Sequence, residues 1–298
     1  MKKLMVACAF LILAVSVLQA LPDYLERADD LSSTGRNRES FNLLMEKLPA
    51  AGTDQERAQI CWRLSRDSLL DADDCRYAAE STDPLDPLYT KAESYADQAI
   101  AFDPCSPMGY YLKACNIGRR VQARGNYASL PQADTMRKLL VRALRIDPGF
   151  SGPWYVLGQL YEQVPGWPLS FGEAAWAVSL GRKAIDAGTA ALSNGTERDV
   201  SIDYWTQLAR HLSKRDWSSA RRAQEQENEA RKFSAAVDPV ERGYYYEGIV
   251  DIPPISDRDE ARQLCRFAIS RLRGVSCRTP SQNNDLENAR ETLAALGE

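Results

Sequence analysis

Two short stretches, "AIAFDP" closing at Pro104 and "ALRIDP" closing at Pro148, end helices in the same way, and each is followed within a few residues by a new amphipathic segment. After Pro148, the residues Trp154, Leu157, Gly158 and Tyr161 fall at three- and four-residue intervals and so share one face of a helix. That face is too apolar to stay in water, and the glycine at its centre has no side chain to hold a neighbour away. Only a second helix stacked close against it answers both facts. Ala92 and Ala99 place small residues on the helix that ends at Pro104, and Ala143 does so on the helix that ends at Pro148.

The remaining sequence fits an array of helices. Gly and Pro punctuate it at short intervals, and nearly every segment between them shows the 3.6-residue period rather than strand alternation. Helices are predicted over residues 24–33, 38–48, 54–70, 87–102, 107–123, 132–146, 152–163, 173–192, 199–214, 217–236, 257–273 and 282–296. Similar lengths and short loops favour antiparallel neighbours. The expected fold class is all-α, with about 12 helices in a single domain over residues 21–298 that includes a strap at about 242–256 and closing helices.

The spacing of Trp154, Leu157, Gly158 and Tyr161 is the W-x2-L-G-x2-Y pattern, and in it the chain resembles the tetratricopeptide-repeat (TPR) superfamily. The resemblance implies an α-solenoid with a concave face that serves as an interaction scaffold. Pro104 and Pro148 stand 44 residues apart, against roughly 34 for a regular repeat. The array is therefore irregular, with "RVQARGNYASLPQ" (residues 120–132) as an elongated turn.

The chain opens with Lys2 and Lys3, an apolar run from Leu4 to about Leu18 and a small residue, Ala20, which is the plan of a secretory signal peptide over residues 1–20. Cleavage there sends the mature chain to the periplasm or another extracytoplasmic space, and the compact Lys-Lys start suggests a bacterium; retention as an anchor is the alternative. No later stretch is apolar enough to span a bilayer. The 37 Lys and Arg residues less Lys2 and Lys3 leave 35 basic against 41 acidic groups, a formal charge of −6, which argues against a nucleic-acid binder. Six cysteines, Cys61, Cys75, Cys105, Cys115, Cys265 and Cys277, permit up to three disulfides, and Cys265 with Cys277 is the first pair to test.

No catalytic constellation is marked, so no enzymatic activity, cofactor or metal is expected. The single histidine, His211, sits among Arg210, Lys214 and Arg215 and reads as a surface residue on a basic helix end. There is no phosphate-cradling glycine loop. "DADDCRYAAESTD" (residues 71–83) lacks the mid-loop glycine and final glutamate of a calcium hand and reads as a solvated connector. Asn194, Gly195 and Thr196 form a glycosylation triplet that matters only in a eukaryotic secretory pathway.

Three features are candidate contact surfaces. "VPGWPLSFG" (residues 164–172) replaces the short turn of a regular repeat and carries Trp167, Leu169 and Phe171, which either fold back over their own repeat or form a rim for a ligand or subunit. Arg210, Arg215, Arg221 and Arg222 concentrate positive charge in an acidic chain, as a solvated face or as a grip on carboxylates. Tyr244, Tyr245 and Tyr246 open the strap, which either packs across the helical stack or offers a tyrosine-lined surface.

The signal, the irregular helix pairs and "YVLGQLYEQVPGWPLSFGEAAWAV" are also similar to the periplasmic TPR subunits associated with TRAP transporters. That resemblance implies a homo-oligomer working with a solute-binding protein on a small organic ligand. It would place Trp167 and Phe171 near a pore or partner interface. The broader resemblance implies a scaffold for envelope proteins. A polar concave groove is expected for the scaffold, and an apolar tunnel lined by aromatics for the ligand-handling subunit.

Overall fold

The computed structural model describes residues 22–77, 85–125, 130–197 and 200–297. The signal-like segment, residues 78–83 of the acidic stretch and residues 126–129 of the elongated turn lie outside them.

Thirteen α-helices and no strand occur among the described residues: α1 Asp23–Ser33, α2 Asn37–Lys47, α3 Asp54–Tyr77, α4 Leu85–Phe102, α5 Pro107–Ala123, α6 Leu130–Ile146, α7 Ser151–Gln163, α8 Ala174–Ser193, α9 Asp203–Arg215, α10 Ser219–Ala235, α11 Pro239–Tyr244, α12 Asp257–Arg273 and α13 Pro280–Ala295. The expected all-α solenoid is what forms. Successive helices pack on one another from α3 to α9, and α3, α5, α7 and α9 also touch in sequence. These four make an inner layer, while α4, α6 and α8 form the outer one.

Small residues allow that packing. Ala92, Ala99 and Ala143 are buried, as are Trp154, Leu157 and Tyr161, whereas Pro104 and Pro148 sit exposed in the turns they close. The Trp154 indole Nε1 donates to the Pro148 carbonyl at 3.0 Å, tying the repeat's first aromatic to the turn before it. Trp154, Leu157, Leu160 and Tyr161 of α7 join Leu140 and Leu144 of α6 and Ala177, Leu180 and Ala184 of α8 in one core.

Most helix ends shift from expectation by one to four residues, and two differences are larger. Residues 71–77 continue α3 instead of forming a connector, because Asp73 is buried and neutralised: it accepts from the Tyr89 hydroxyl at 2.7 Å and from Arg119 Nε at 3.0 Å. The strap begins with helix: Asp238 accepts from the backbone N–H groups of Val240 and Glu241, Pro239 takes the first helical position, and α11 runs into a 3-10 turn at Tyr246–Ile249. Apart from the turn at Tyr245, only residues 250–256 of the strap are non-helical.

After α9 the chain leaves the repeat pattern. The segment α10–α11 folds over α8 on the outer side, α12 returns to α9, and α13 runs back to touch both α9 and α3. Among the described residues no disulfide forms, so Cys265 and Cys277 are not bonded to each other; Cys265 is buried and Cys277 exposed.

Candidate interaction surfaces

Tyr161 is where the loop after α7 is anchored. The Glu173 N–H donates to the Tyr161 carbonyl, and the Gly172 N–H to that of Pro165, closing the loop on itself. Phe171 turns inward, with its ring edge-on to Tyr161 at 5.3 Å and the Arg137 guanidinium 4.6 Å above it. Trp167 and Leu169 do the opposite: they are 90% and 75% exposed. The two readings of this loop thus fall to different residues, Phe171 covering the seam and Trp167 and Leu169 standing in water.

His211 is buried, not on the surface, and its Nδ1 lies 2.5 Å from Glu162 Oε2. Burial by itself would raise the Glu162 carboxyl, but the hydrogen bond and charge of His211, with Lys214 and Arg210, hold it below the usual range. The imidazole occupies the space left by two glycines: a Cβ on Gly158 would meet His211 Nε2 at 3.1 Å, and one on Gly181 would meet its Cδ2 at 3.0 Å. The partner that makes this burial tolerable is 49 residues away in sequence.

The arginine cluster divides in the same manner. Arg215 and Arg222 are buried with Arg182 against Glu247, Asp257 and Glu260, three cations to three anions. Arg182 reaches Glu247 at 2.9 Å and chelates Glu260 at 2.8 and 2.7 Å; Arg215 chelates Asp257 at 2.8 Å through two nitrogens and also pairs with Glu247. Arg222 bonds Glu260 and the Ile255 carbonyl, each at 2.6 Å. These side chains rivet α8, α9, α10, α12 and the strap together and are not offered to a partner. Beside them, buried Glu229 is pushed up to about 7 by its burial and by the Glu247 charge. Arg210 is half-buried, donating to Thr292 and Asn288 of α13, and Arg221 is exposed, 4.5 Å over the Trp217 ring.

Of the three tyrosines, Tyr244 stacks on Trp176 at 4.3 Å and meets the Tyr161 hydroxyl at 2.9 Å. Tyr245 stands edge-on to Trp176, and Tyr246 donates to Asp186 at 3.0 Å. The strap therefore packs on α8. Yet Tyr244 and Tyr245 also form one wall of an open groove of about 500 Å³, with Trp176, Val240 and Glu241, facing Arg137, Lys138, Val141 and Arg145 of α6. Arg145 pairs with Asp238 at 2.9 Å, and Asp134 takes both Arg137 and Lys138 at 2.7 Å. Sequence reading had not marked Trp176 or the α6 cations, although residues 137, 138, 141 and 145 recur at helical spacing on one face.

The inner face is already covered. Helix α13 lies along it: Ser281 Oγ donates to Asp74 of α3 at 2.8 Å, and Asn288 and Thr292 meet Arg210 of α9. Beneath are Asp73, Arg119, Tyr155, Asp203 and Tyr204, with Tyr155 bonded to Asp203 and stacked on Tyr204 at 4.4 Å. This lining is polar, as expected of a scaffold groove. Burial together with the charges of Asp203 and Asp73 pushes the Asp285 carboxyl of α13 up to about 7, against the opposing pull of Arg119.

Among solved structures, a thermophilic TPR protein of Thermus thermophilus superposes with a TM-score of 0.50 at 14% sequence identity, over 91% of this chain and 98% of that one. The fold is thus TPR-like. A family model described as RMD1-3, Regulator of microtubule dynamics protein 1-3, matches residues 24–169, just under half of the chain, from α1 into the loop after α7. No curated protein matches.

Proposed function

We propose that this protein is a non-catalytic interaction scaffold, exported by its N-terminal segment to the cell envelope, that holds a partner segment in the outer groove between α6, α8 and α11. The supporting observation is the groove's construction. Three cations rise from α6 on one side and Trp176, Tyr244 and Tyr245 stand on the other, giving rigid aromatic contact area beside charged donors, the mixture enriched where proteins meet. The TPR-like fold supports the same reading.

Native mass spectrometry of the chain purified from its own host tests it. A bare chain beginning at Leu21 is the expected result. A small adduct lost on denaturation would replace the scaffold with a subunit that carries a small organic ligand beside a solute-binding protein. The groove's volume, within the roughly 300–1,000 Å³ of small-molecule sites, is what favours that second reading. A chain that keeps residues 1–20 and fractionates with the cytosol would overturn export. It would favour a scaffold near a cytoskeletal polymer instead, in line with the family named for regulators of microtubule dynamics. Photo-crosslinking from Lys138, with the exposed Lys91 of α4 as control, then asks whether partners sit in the groove.

A further inference from the structure

Helix α13 holds α12 and α3 by different means. Toward α12 it presents Leu286 and Ala289, buried against Ala268, Ile269 and Leu272, and Leu296 joins Cys265 and Leu208. Toward α3 the hydrogen bond it shows is Ser281 to Asp74. Its start is fixed independently by a capping box, in which the Thr279 hydroxyl accepts from the Gln282 N–H and the Gln282 side chain accepts from the Thr279 N–H. The helix therefore needs no contact with α3 to be a helix.

We infer that α13 is a reversible clasp across the inner face, fixed to α12 and α9 by apolar packing and tied to α3 by the bond from Ser281 to Asp74, so that the α3 side releases while α9, α12 and α13 stay together. Release uncovers Arg119 and Tyr155, which Asp285 of α13 now faces.

The groups facing the clasp make its closure depend on protons. Asp285 looks onto Asp73 and Tyr77 of α3, Arg119 of α5, Tyr155 of α7 and Asp203 of α9. The cation that acts on it, Arg119, is already committed to Asp73 at 3.0 Å. An ionised Asp285 therefore adds like charge to the closed form, whereas a protonated one does not. The closed form binds that proton more tightly, near pH 7 against 3.8 for a solvated carboxyl. The clasp is thus tightest below about pH 4, weakens as pH rises from 4 to 7, and is level above that. Between pH 5.5 and 8 the open-to-closed ratio should rise by at most about thirtyfold.

Dipolar electron-resonance distances between spin labels on Thr34→Cys and Glu287→Cys read this directly, in the chain from Leu21 onward with its exposed and half-buried cysteines changed to alanine. A single short distance at pH 5.5, a second and longer one appearing by pH 8, and only the short one at both pH values in Asp285→Asn is the expected pattern. Ser281→Ala, which removes a clasp contact without touching the titrating group, should show more of the long distance at both. One unchanged distance in the parent and in Ser281→Ala would overturn the clasp, as would pH-driven opening that survives Asp285→Asn.

Discussion

At the scale of single residues, exposure separates side chains that look alike in the sequence. Trp167→Ala should leave the thermal melt within about 0.5 kcal/mol of the parent, because a side chain 90% exposed has little burial to lose. Phe171→Ala, which removes the ring between Tyr161 and Arg137, should cost about 2 kcal/mol. The arginines divide more sharply. Arg215→Ala leaves three buried acids to two cations, taking from Glu247 and Asp257 one partner each, and should cost about 3–5 kcal/mol in urea titrations, while Arg221→Ala should be nearly silent. Glu229 gives a pH signature: its folded form binds a proton more tightly than the unfolded chain does, so its contribution is most favourable below about pH 4.5. It worsens as pH rises to 7, reaching about 3 kcal/mol at most. Stability of Glu229→Gln relative to the parent should therefore grow between pH 5 and pH 8. None of these distinctions was legible beforehand. The acids that bury Arg215, Arg222 and Arg182 lie 32 to 78 residues from them, and nothing local tells a paired arginine from a solvated one.

At the scale of elements, the reading from sequence went further, because helices announce themselves by period. The limits of α5 and α12 were legible to the residue, since Pro107 and the Ser256 cap mark their starts. The misreadings came where burial overrode local polarity. Residues 71–77 look like a solvated loop until Asp73 finds Tyr89 and Arg119, and α11 was lost inside a strap although Asp238 and Pro239 form an ordinary helix start. That short helix matters beyond its size. A Cβ on its Gly243 would come within 2.3 Å of the Trp154 ring, so the strap lies directly on the repeat's first aromatic. Gly243→Ala gains helix propensity, worth about 1 kcal/mol. It should still destabilise by about 2 kcal/mol or more in calorimetry, because a rigid indole packed on α6 and α8 cannot move aside.

For the whole molecule, the repeat signature made the solenoid from α3 to α9 legible, but not how the chain is completed. An array of stacked pairs should expose two free ends, and fluctuations at one should be independent of the other. Here α13 joins the end of the array to its beginning. A chain ending at Gly274 should keep the helicity of α1–α11 but lose about 4 kcal/mol or more, from Leu286, Leu293 and Leu296 no longer covering α12 and α9. Its urea transition, followed by circular dichroism, should broaden as the N-terminal helices melt ahead of the rest. The bond from Ser281 to Asp74 closes a loop of 207 residues. During synthesis, then, α3 emerges and folds long before its last neighbour exists, and every nascent or prematurely terminated chain presents the uncovered inner face to whatever is nearby. Residues 275–298 decide whether that face is hidden.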